Sequence, residues 1–491
     1  MPTSLTNAAT PRVQPTRLKS RTPGQTRRRG IVFLGLTALA LRVALVLALF
    51  DPGHLPFTYE HGEIAENLLA GRGFTVNFLG FEGPTSQQAP LYPALLAGLY
   101  WAFGPESPGA MLTLQLLQAA AGSALVLCLA WLSWSLLPER PAIGWAAAVL
   151  AAIHPAHIYM VTHVQVALWG ALLLTLVIAV SLSPQWRNRR GAALAGLLAG
   201  LLLLIEPIMA LALPILALAV ARGEGRWSYQ GLARAAIMAA VCTAAIAPWV
   251  WRNARVHGEF VFIKSTFGYA FWQGNNPASW GTDKVPKPSA ESLRRTHDGS
   301  LSGIDRALWE ARHETIYIDD LLLKPDGYRQ FAGLTEPERS RLLEREAWSF
   351  IAAQPRRYAQ LCLQRLRYFL LWDETNPKAA NWLYRAATLA WLGLSLAGLA
   401  ACWKDRGKLW PTFAICAAIG LFHTLTIVSA RFRIPLEPMT FVWCGAAVAA
   451  ILARVQRARV IATCLTLMQS ACTALGNAAR WRWHRGTPAR P

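Results

Sequence analysis

Apolar segments long enough to cross a bilayer recur along almost the whole chain, and no other feature restricts its fold so strongly. Inside lipid every backbone N–H and C=O needs an internal partner, which leaves helices or a closed barrel as spanning structures. About 20 apolar residues at 1.5 Å rise each match the ~30 Å hydrocarbon thickness. The fold class expected is therefore an all-α polytopic membrane protein. The first run, Ile31 to Phe50, is interrupted only by Arg42. Further spans are expected near 109–137, 142–158, 164–183, 191–206, 207–221, 232–250, 383–402, 411–430 and 435–454, about ten transmembrane helices in all.

Composition agrees, with 54% hydrophobic and only 15% charged residues, too apolar for an average soluble domain. The net charge of +21 would suit nucleic acid if it formed a patch, but it does not. Residues 1–30 carry Arg12, Arg17, Lys19, Arg21, Arg27, Arg28 and Arg29 and no acid, which places this head in the cytoplasm by the positive-inside rule. Alternation of the spans then puts Arg140, Arg187, Arg189, Arg190, Arg222, Arg226, Lys404, Arg406, Lys408, Arg454, Arg457 and Arg459 on the same side. The basic excess is topology, and nucleic acid is not an expected partner. A cleaved signal peptide competes for the N-terminus, but no small-residue cleavage site follows and later spans continue the pattern.

Two sizeable loops fall on the opposite side. Residues 51–108 hold Asp51, Glu60, Glu63, Glu66, Glu82 and Glu106 against Arg72 alone, which supports external placement. The expected organisation is a disordered basic head (1–30), a membrane domain (31–250) with an external loop at 51–108, a large external loop (251–382), C-terminal spans (383–455) and a basic tail (456–491). Segment 461–475 is apolar but short and reads as an interfacial helix with the C-terminus inside. The eight cysteines show neither a disulfide framework nor zinc spacing.

Within the first loop, Tyr59 to Ala70 has the pattern of an amphipathic helix ended by Gly71 and Gly73, and Pro90 to Phe103 reads as an interfacial helix. In the second, Phe260 to Ile263 reads as extended and Gly268 to Pro277 as turn-rich and irregular. Thr335 to Glu338 forms a capping-box pattern before a helix to about Ala353, and Pro355 starts another to Trp372.

The run Tyr59-Glu60-His61-Gly62-Glu63-Ile64-Ala65-Glu66-Asn67-Leu68-Leu69-Ala70-Gly71-Arg72-Gly73-Phe74, followed by Gly83-Pro84-Thr85 and Ala89-Pro90-Leu91-Tyr92-Pro93, resembles the first external loop of bacterial family 39 glycosyltransferases. That family sits with protein O-mannosyltransferases and the lipid A aminoarabinose transferase. Pro248-Trp249 with Arg252-Asn253, Gly268 to Pro277, and Arg431-Phe432-Arg433-Ile434-Pro435 are similar to bacterial members too, so the resemblance covers about residues 30 to 455. It implies transfer of a sugar from a polyprenyl-phosphate donor to an unknown glycan, lipid or protein acceptor. The reaction would invert the anomeric carbon on the external face of the bacterial inner membrane, with an acid of the first external loop as base. Two departures stand out. Many relatives carry Asp where Phe57 stands here, and some carry a basic residue where Gln87 and Gln88 stand.

Displacing a lipid phosphate from a sugar needs a base for the acceptor and cations for the charge that develops on the leaving phosphate. Glu60 is the first candidate base, against the plainer reading of a helix-start carboxylate favourable to the dipole. Asp51 is the runner-up, although Asp-Pro-Gly is ordinary turn chemistry, and Glu63 and Glu66 read as exposed faces. Arg431 and Arg433 are candidate phosphate ligands that could equally snorkel to headgroups. Arg252 could contact the donor or fold the loop. Trp272, Asn275 and Asn276 suit a sugar or a turn. Arg42 and Glu206 are costly in lipid and should face the interior or a wet cavity. His154, His157 and His163 cluster without a zinc pattern, so no metal ligand is assigned, no cofactor is certain and divalent-metal dependence stays open. A secondary transporter with paired broken helices and a non-catalytic scaffold are the competing functions.

Overall fold

The computed structural model describes residues 23–223, 226–286 and 297–484, leaving the basic head before Pro23 and the last seven residues outside the description. The chain is all-α and polytopic. Its helices run α1 (Pro23–Leu49), α2 (Tyr59–Leu69), α3 (Leu91–Phe103), α4 (Pro108–Leu136), α5 (Pro141–Ile153), α6 (Pro155–Tyr159), α7 (Ala167–Leu182), α8 (Arg189–Leu203), α9 (Ala212–Arg222) and α10 (Tyr229–His257). They continue with α11 (Phe267–Gly274), α12 (Leu301–His313), α13 (Ile318–Leu322), α14 (Glu336–Ala353), α15 (Pro355–Leu370), α16 (Trp382–Ala401), α17 (Arg406–Leu425) and α18 (Glu437–His484). Among the described residues, 6 helices are long and apolar enough to span a bilayer, and up to 7 if the bent pair α5 and α6, angled by 57°, counts as one. Three more of the expected spans are shorter: α7, α8, and the segment Pro207–Arg222 that contains α9.

Polar side chains explain several helix ends inside the bundle. Arg42 is buried in α1 and donates to the carbonyls of Ala38, Ala151 and Ala152, so its charge caps the end of α5. The carbonyls of Ala151 and Ala152 fall in the last turn of α5, where helical partners run out, and would otherwise be orphaned. The main apolar core is shared by α4, α5, α7, α8 and α18, with Ala147, Ala148, Leu174, Val177, Ala199 and Ala446 fully or almost fully enclosed.

The two loops fold together into one layer at a single end of the bundle. Ile64, Val76, Phe78 and Leu79 of the first loop share a core with Phe271, Trp272, Ile318, Phe331, Leu343 and Ala347 of the second. A hairpin joins β1 (Thr75–Phe78) to β2 (Phe81–Pro84), turning through Leu79 and Gly80, both at positive φ, as two-residue hairpin turns require. Helix α2 ends before Gly71 and Gly73, both left-handed, as the sequence suggests. The Thr335 capping box is present and α14 ends at Ala353.

Two expectations need correction. Gly268 to Gly274 is helical, not irregular. A Cβ on Gly268 would sit 1.9 Å from the Ser340 carbonyl oxygen and one on Gly274 2.0 Å from that of Thr426, so these glycines serve close packing of a helix rather than a turn. Segment 461–475 is not a separate interfacial helix but continues the 48-residue α18, whose ~72 Å length at 1.5 Å per residue exceeds the hydrocarbon thickness. No proline after Pro438 interrupts it.

Candidate active site

Glu60 stands at the start of α2. Tyr59 opens that helix at φ 51°, a left-handed conformation uncommon for an aromatic residue. Packing holds it there: Thr58 Oγ1 donates to Glu106 Oε1 at 2.6 Å, and the Arg312 guanidinium lies 5.2 Å over the Tyr59 ring. Gly62 has to be glycine, since a Cβ would fall 2.1 Å from Thr58 Oγ1. Phe57 precedes the helix, so Glu60 is not one helical turn along from it. Its ring instead packs against His313 at 4.2 Å and Trp309 at 5.9 Å.

Gln87 and Gln88 are both engaged. Gln87 Nε2 donates to Glu60 Oε1 at 3.4 Å, while Gln88 Oε1 accepts from Lys264 Nζ at 3.0 Å. Adjacent residues thus hold an acid and an ammonium. Burial draws the Lys264 pKa below its ordinary value, Arg431 draws it further, and Glu206 and Glu60 oppose both. The charge of Arg431 also reaches His61, Tyr59, Asp283 and Tyr317. His61 is pulled down to about 3 by burial, then by Lys264 and Arg431, so it is neutral at physiological pH. Burial raises Asp283, but Lys284 beside it, hydrogen-bonded at 2.6 Å, and Arg431 outweigh that and leave it below the usual carboxylate value. Arg431 itself is exposed, rests over the Phe432 ring at 5.6 Å, and among the described residues forms no ion pair. A carboxylate, a half-buried ammonium and a guanidinium without an ion pair among the described residues therefore lie within electrostatic reach of one another.

The remaining sequence candidates separate from this cluster. Arg433 is buried, with Nε on Glu437 Oε1 at 2.7 Å and Nη1 donating to the carbonyls of Phe369, Leu370 and Leu371. It caps the end of α15, and with Nε and Nη1 committed to protein acceptors its position is that of framework rather than of a residue turned to the Glu60 cluster. Arg252 donates to the carbonyls of Thr85 and Phe74 and lies 4.8 Å over Trp249, so it ties α10 to the first loop. Trp272 is buried in the loop core. Asn275 donates to the carbonyls of Phe271 and Thr426 and accepts from Arg365, while Asn276 donates to Trp272 and Gln273. All three are buried, and the two amides are held by backbone carbonyls, so in this structure they act as framework. Asp51 pairs with Arg306 Nη2 at 2.9 Å and accepts from the Gly53 amide. It borders a different cleft with Gln115, Asp305 and Trp309.

Two contributors escape sequence reading. Lys264 follows the apolar Phe260–Ile263 with no motif around it. Glu336 is buried and accepts from Thr85 Oγ1, the Ser86 amide and Ser265 Oγ. Ser86 Oγ also meets His257 Nε2 at 2.8 Å, but Glu336 approaches that same nitrogen, at 3.9 Å. A nucleophilic triad needs the acid on the other ring nitrogen, so this is a loop clasp. Among the described residues, one group brings metal-type ligand atoms together: His154, His157 and Glu437, within 4.8 Å of one another.

No family model and no curated protein matches this sequence. Solved structures do. The oligosaccharyltransferase of Archaeoglobus fulgidus in its apo form is similar over 89% of this chain and 51% of its own, with TM-score 0.52 and 14% identity. The same enzyme, AglB, in complex with an inhibitory peptide and a dolichol-phosphate also gives 0.52 and 14%, over 89% of this chain and 52% of its own. ArnT from Cupriavidus metallidurans bound to undecaprenyl phosphate is more distant, at TM-score 0.37 and 15% identity over 86% of this chain and 78% of its own. The chain spans about half the length of the archaeal enzyme, and at this identity the shared property is the polytopic membrane fold.

Proposed function

We propose that this chain is a membrane glycosyltransferase that moves a sugar from a polyprenyl-phosphate carrier to an acceptor at the external face of a bacterial plasma membrane. The observation that carries the reading is the meeting of Glu60 with Lys264 and Arg431 in a layer built from both loops. Glu60 takes the proton of the acceptor nucleophile as its lone pair attacks the anomeric carbon. The bond from that carbon to the phosphate oxygen breaks on the opposite face, so a single displacement inverts the centre. The electron pair goes to the phosphate, where Arg431 and Lys264 stabilise the added charge. That a protein of this fold has been captured with a dolichol-phosphate supports a lipid-phosphate donor. The reading assigns no metal to the transfer step.

In this reading the loops 51–108 and 251–382 form the external catalytic layer on membrane segments 31–250 and 383–455. A transporter would place its site between two related halves near the bilayer midplane, whereas this acid and these cations gather at one end. The decisive measurement is mass spectrometry of polyprenyl-phosphate sugars and envelope glycans with and without the protein. A donor that accumulates and a glycan that disappears would name both substrates; unchanged pools of both would sink the proposal.

A further inference from the structure

We infer that His154, His157 and Glu437 form a binding site for a transition-metal dication of the zinc class, a site separate from the proposed transfer chemistry. Their ligand atoms lie within 4.8 Å of one another, and two imidazoles with one carboxylate make a donor set suited to zinc. The independent sign of a missing ligand is His154. Both of its ring nitrogens are buried and neither has a hydrogen-bond partner, an arrangement that folded proteins rarely leave unmet. Its ring meets His157 edge-on at 5.4 Å, and Phe441 walls both rings at 5.4 and 5.3 Å. That apolar wall supplies no polar substitute for an ion.

The carboxylate is already held as a metal ligand should be. Glu437 Oε1 accepts from Arg433 Nε at 2.7 Å, and Oε2 faces His157 Nε2 at 2.6 Å. Hydrogen bonding of a ligating carboxylate by an outer group fixes its direction. Arg433 spreads its own charge onto the end carbonyls of α15, so the added positive charge does not face a bare guanidinium. Binding replaces the proton shared by His157 Nε2 and Glu437 Oε2 with the ion, and the imidazole carries its proton on Nδ1 instead. Zn–N and Zn–O bonds of about 2.0–2.2 Å at a tetrahedral angle hold ligand atoms about 3.4 Å apart, so His154 must swing in by a rotamer adjustment while the His157–Glu437 pair, now at 2.6 Å, opens around the ion. The fourth position is left for water. Such an ion would clip the break between α5 and α6 to the start of α18, beside the turn that presents Arg431.

The test uses full-length protein purified in detergent without a metal-affinity step and stripped with EDTA. Zinc chloride is then added, and bound zinc is measured by elemental analysis alongside the thermal unfolding midpoint. The expected result is one zinc per chain and a raised midpoint, both lost in His154→Leu and both recovered at least in part in His154→Asp. Because the His154 side chain makes no hydrogen bond, His154→Leu removes a ligand without breaking one and keeps an apolar side chain against Phe441. The metal-free variant should therefore melt no lower than metal-free wild type. Zinc uptake by His154→Leu equal to wild type, or no uptake by wild type, overturns the site.

Discussion

Arg431 and Arg433 are two residues apart, both basic and both near the same helix ends, yet they should fail in opposite ways when replaced by Ala. Arg433 holds a buried carboxylate and three helix-end carbonyls. Removing one partner of a buried pair leaves the other charge uncompensated, which costs about 3–5 kcal/mol, and the orphaned carbonyls add to that. Against a stability of about 5–15 kcal/mol, Arg433→Ala should lower the melting midpoint sharply and reduce recovery of folded protein. Arg431 is exposed and forms no ion pair among the described residues, so Arg431→Ala should melt like wild type. What it loses is one charge-assisted contact to the leaving phosphate, about 1.5–3 kcal/mol. At 1.36 kcal/mol per decade, turnover with a polyprenyl-phosphate sugar should fall roughly 10- to 150-fold. Lys at 431 should rescue only partly, because it lacks the forked geometry. Fluorescence-detected size exclusion after heating reads the first quantity, and initial rates on purified protein read the second. A stable Arg433→Ala with a selective donor defect, or an Arg431→Ala with unchanged donor kinetics, would refute this division of roles.

Three further outcomes are expected. Glu60→Gln should lower turnover by about 10² to 10⁴, the usual range for losing a general base, while Asp51→Asn, whose carboxylate is committed to Arg306 and Gly53, should stay near normal; the reverse result would move the base to Asp51. Lys264→Met should weaken donor use without loss of folding, and it should stabilise the apo protein at neutral pH if burial of the ammonium is the dominant cost; a variant that melts lower would make Lys264 structural. Burial followed by Arg312 brings Lys378 down to about 7, with Asp305 opposing. Since the unfolded chain keeps that proton up to the ordinary lysine range, unfolding takes up a proton between about 7 and 10.5 and stability should rise with pH there. His163 Nε2 at 2.9 Å and the Tyr159 ring at 4.8 Å are its other neighbours. Lys378→Met should flatten that slope in melting curves taken from pH 6 to 10, and an unchanged slope would assign it elsewhere.

Patterns with a local cause were legible in the sequence. The ends of α2, the start of α14 and the interior role of Arg42 follow from glycine, a capping box and the cost of charge in lipid. Trp272, Asn275 and Asn276 were not legible, because an amide that lines a sugar site and one that holds a helix end look alike until the partner carbonyls of Phe271, Thr426 and Trp272 are seen. Gly268 and Gly274 mislead for a related reason. Their sequence neighbours signal turns, but the backbone they accommodate belongs to Ser340 and Thr426, far along the chain. Span counting was limited by length, since α7 and α8 are short for a bilayer and lie within a packed bundle.

The position of Lys264 shows how two loops can share one electrostatic arrangement. The first loop has a single cation, Arg72, and its guanidinium is bound to Asn67 Oδ1. Any cation acting beside Glu60 must therefore arrive from another segment. Ser265 delivers one: its amide donates to the Ser86 carbonyl at 3.0 Å, and its hydroxyl joins the Ser86 amide on the carboxylate of Glu336. That clasp fixes residue 264 opposite residues 87 and 88, where Gln88 receives the ammonium. Stabilisation of a developing charge depends on the distance and direction of the cation and on how little it must reorganise, not on which stretch of sequence carries it. In this arrangement Gln87 and Gln88 of the first loop serve as the donor and acceptor that set a cation of the other loop beside Glu60.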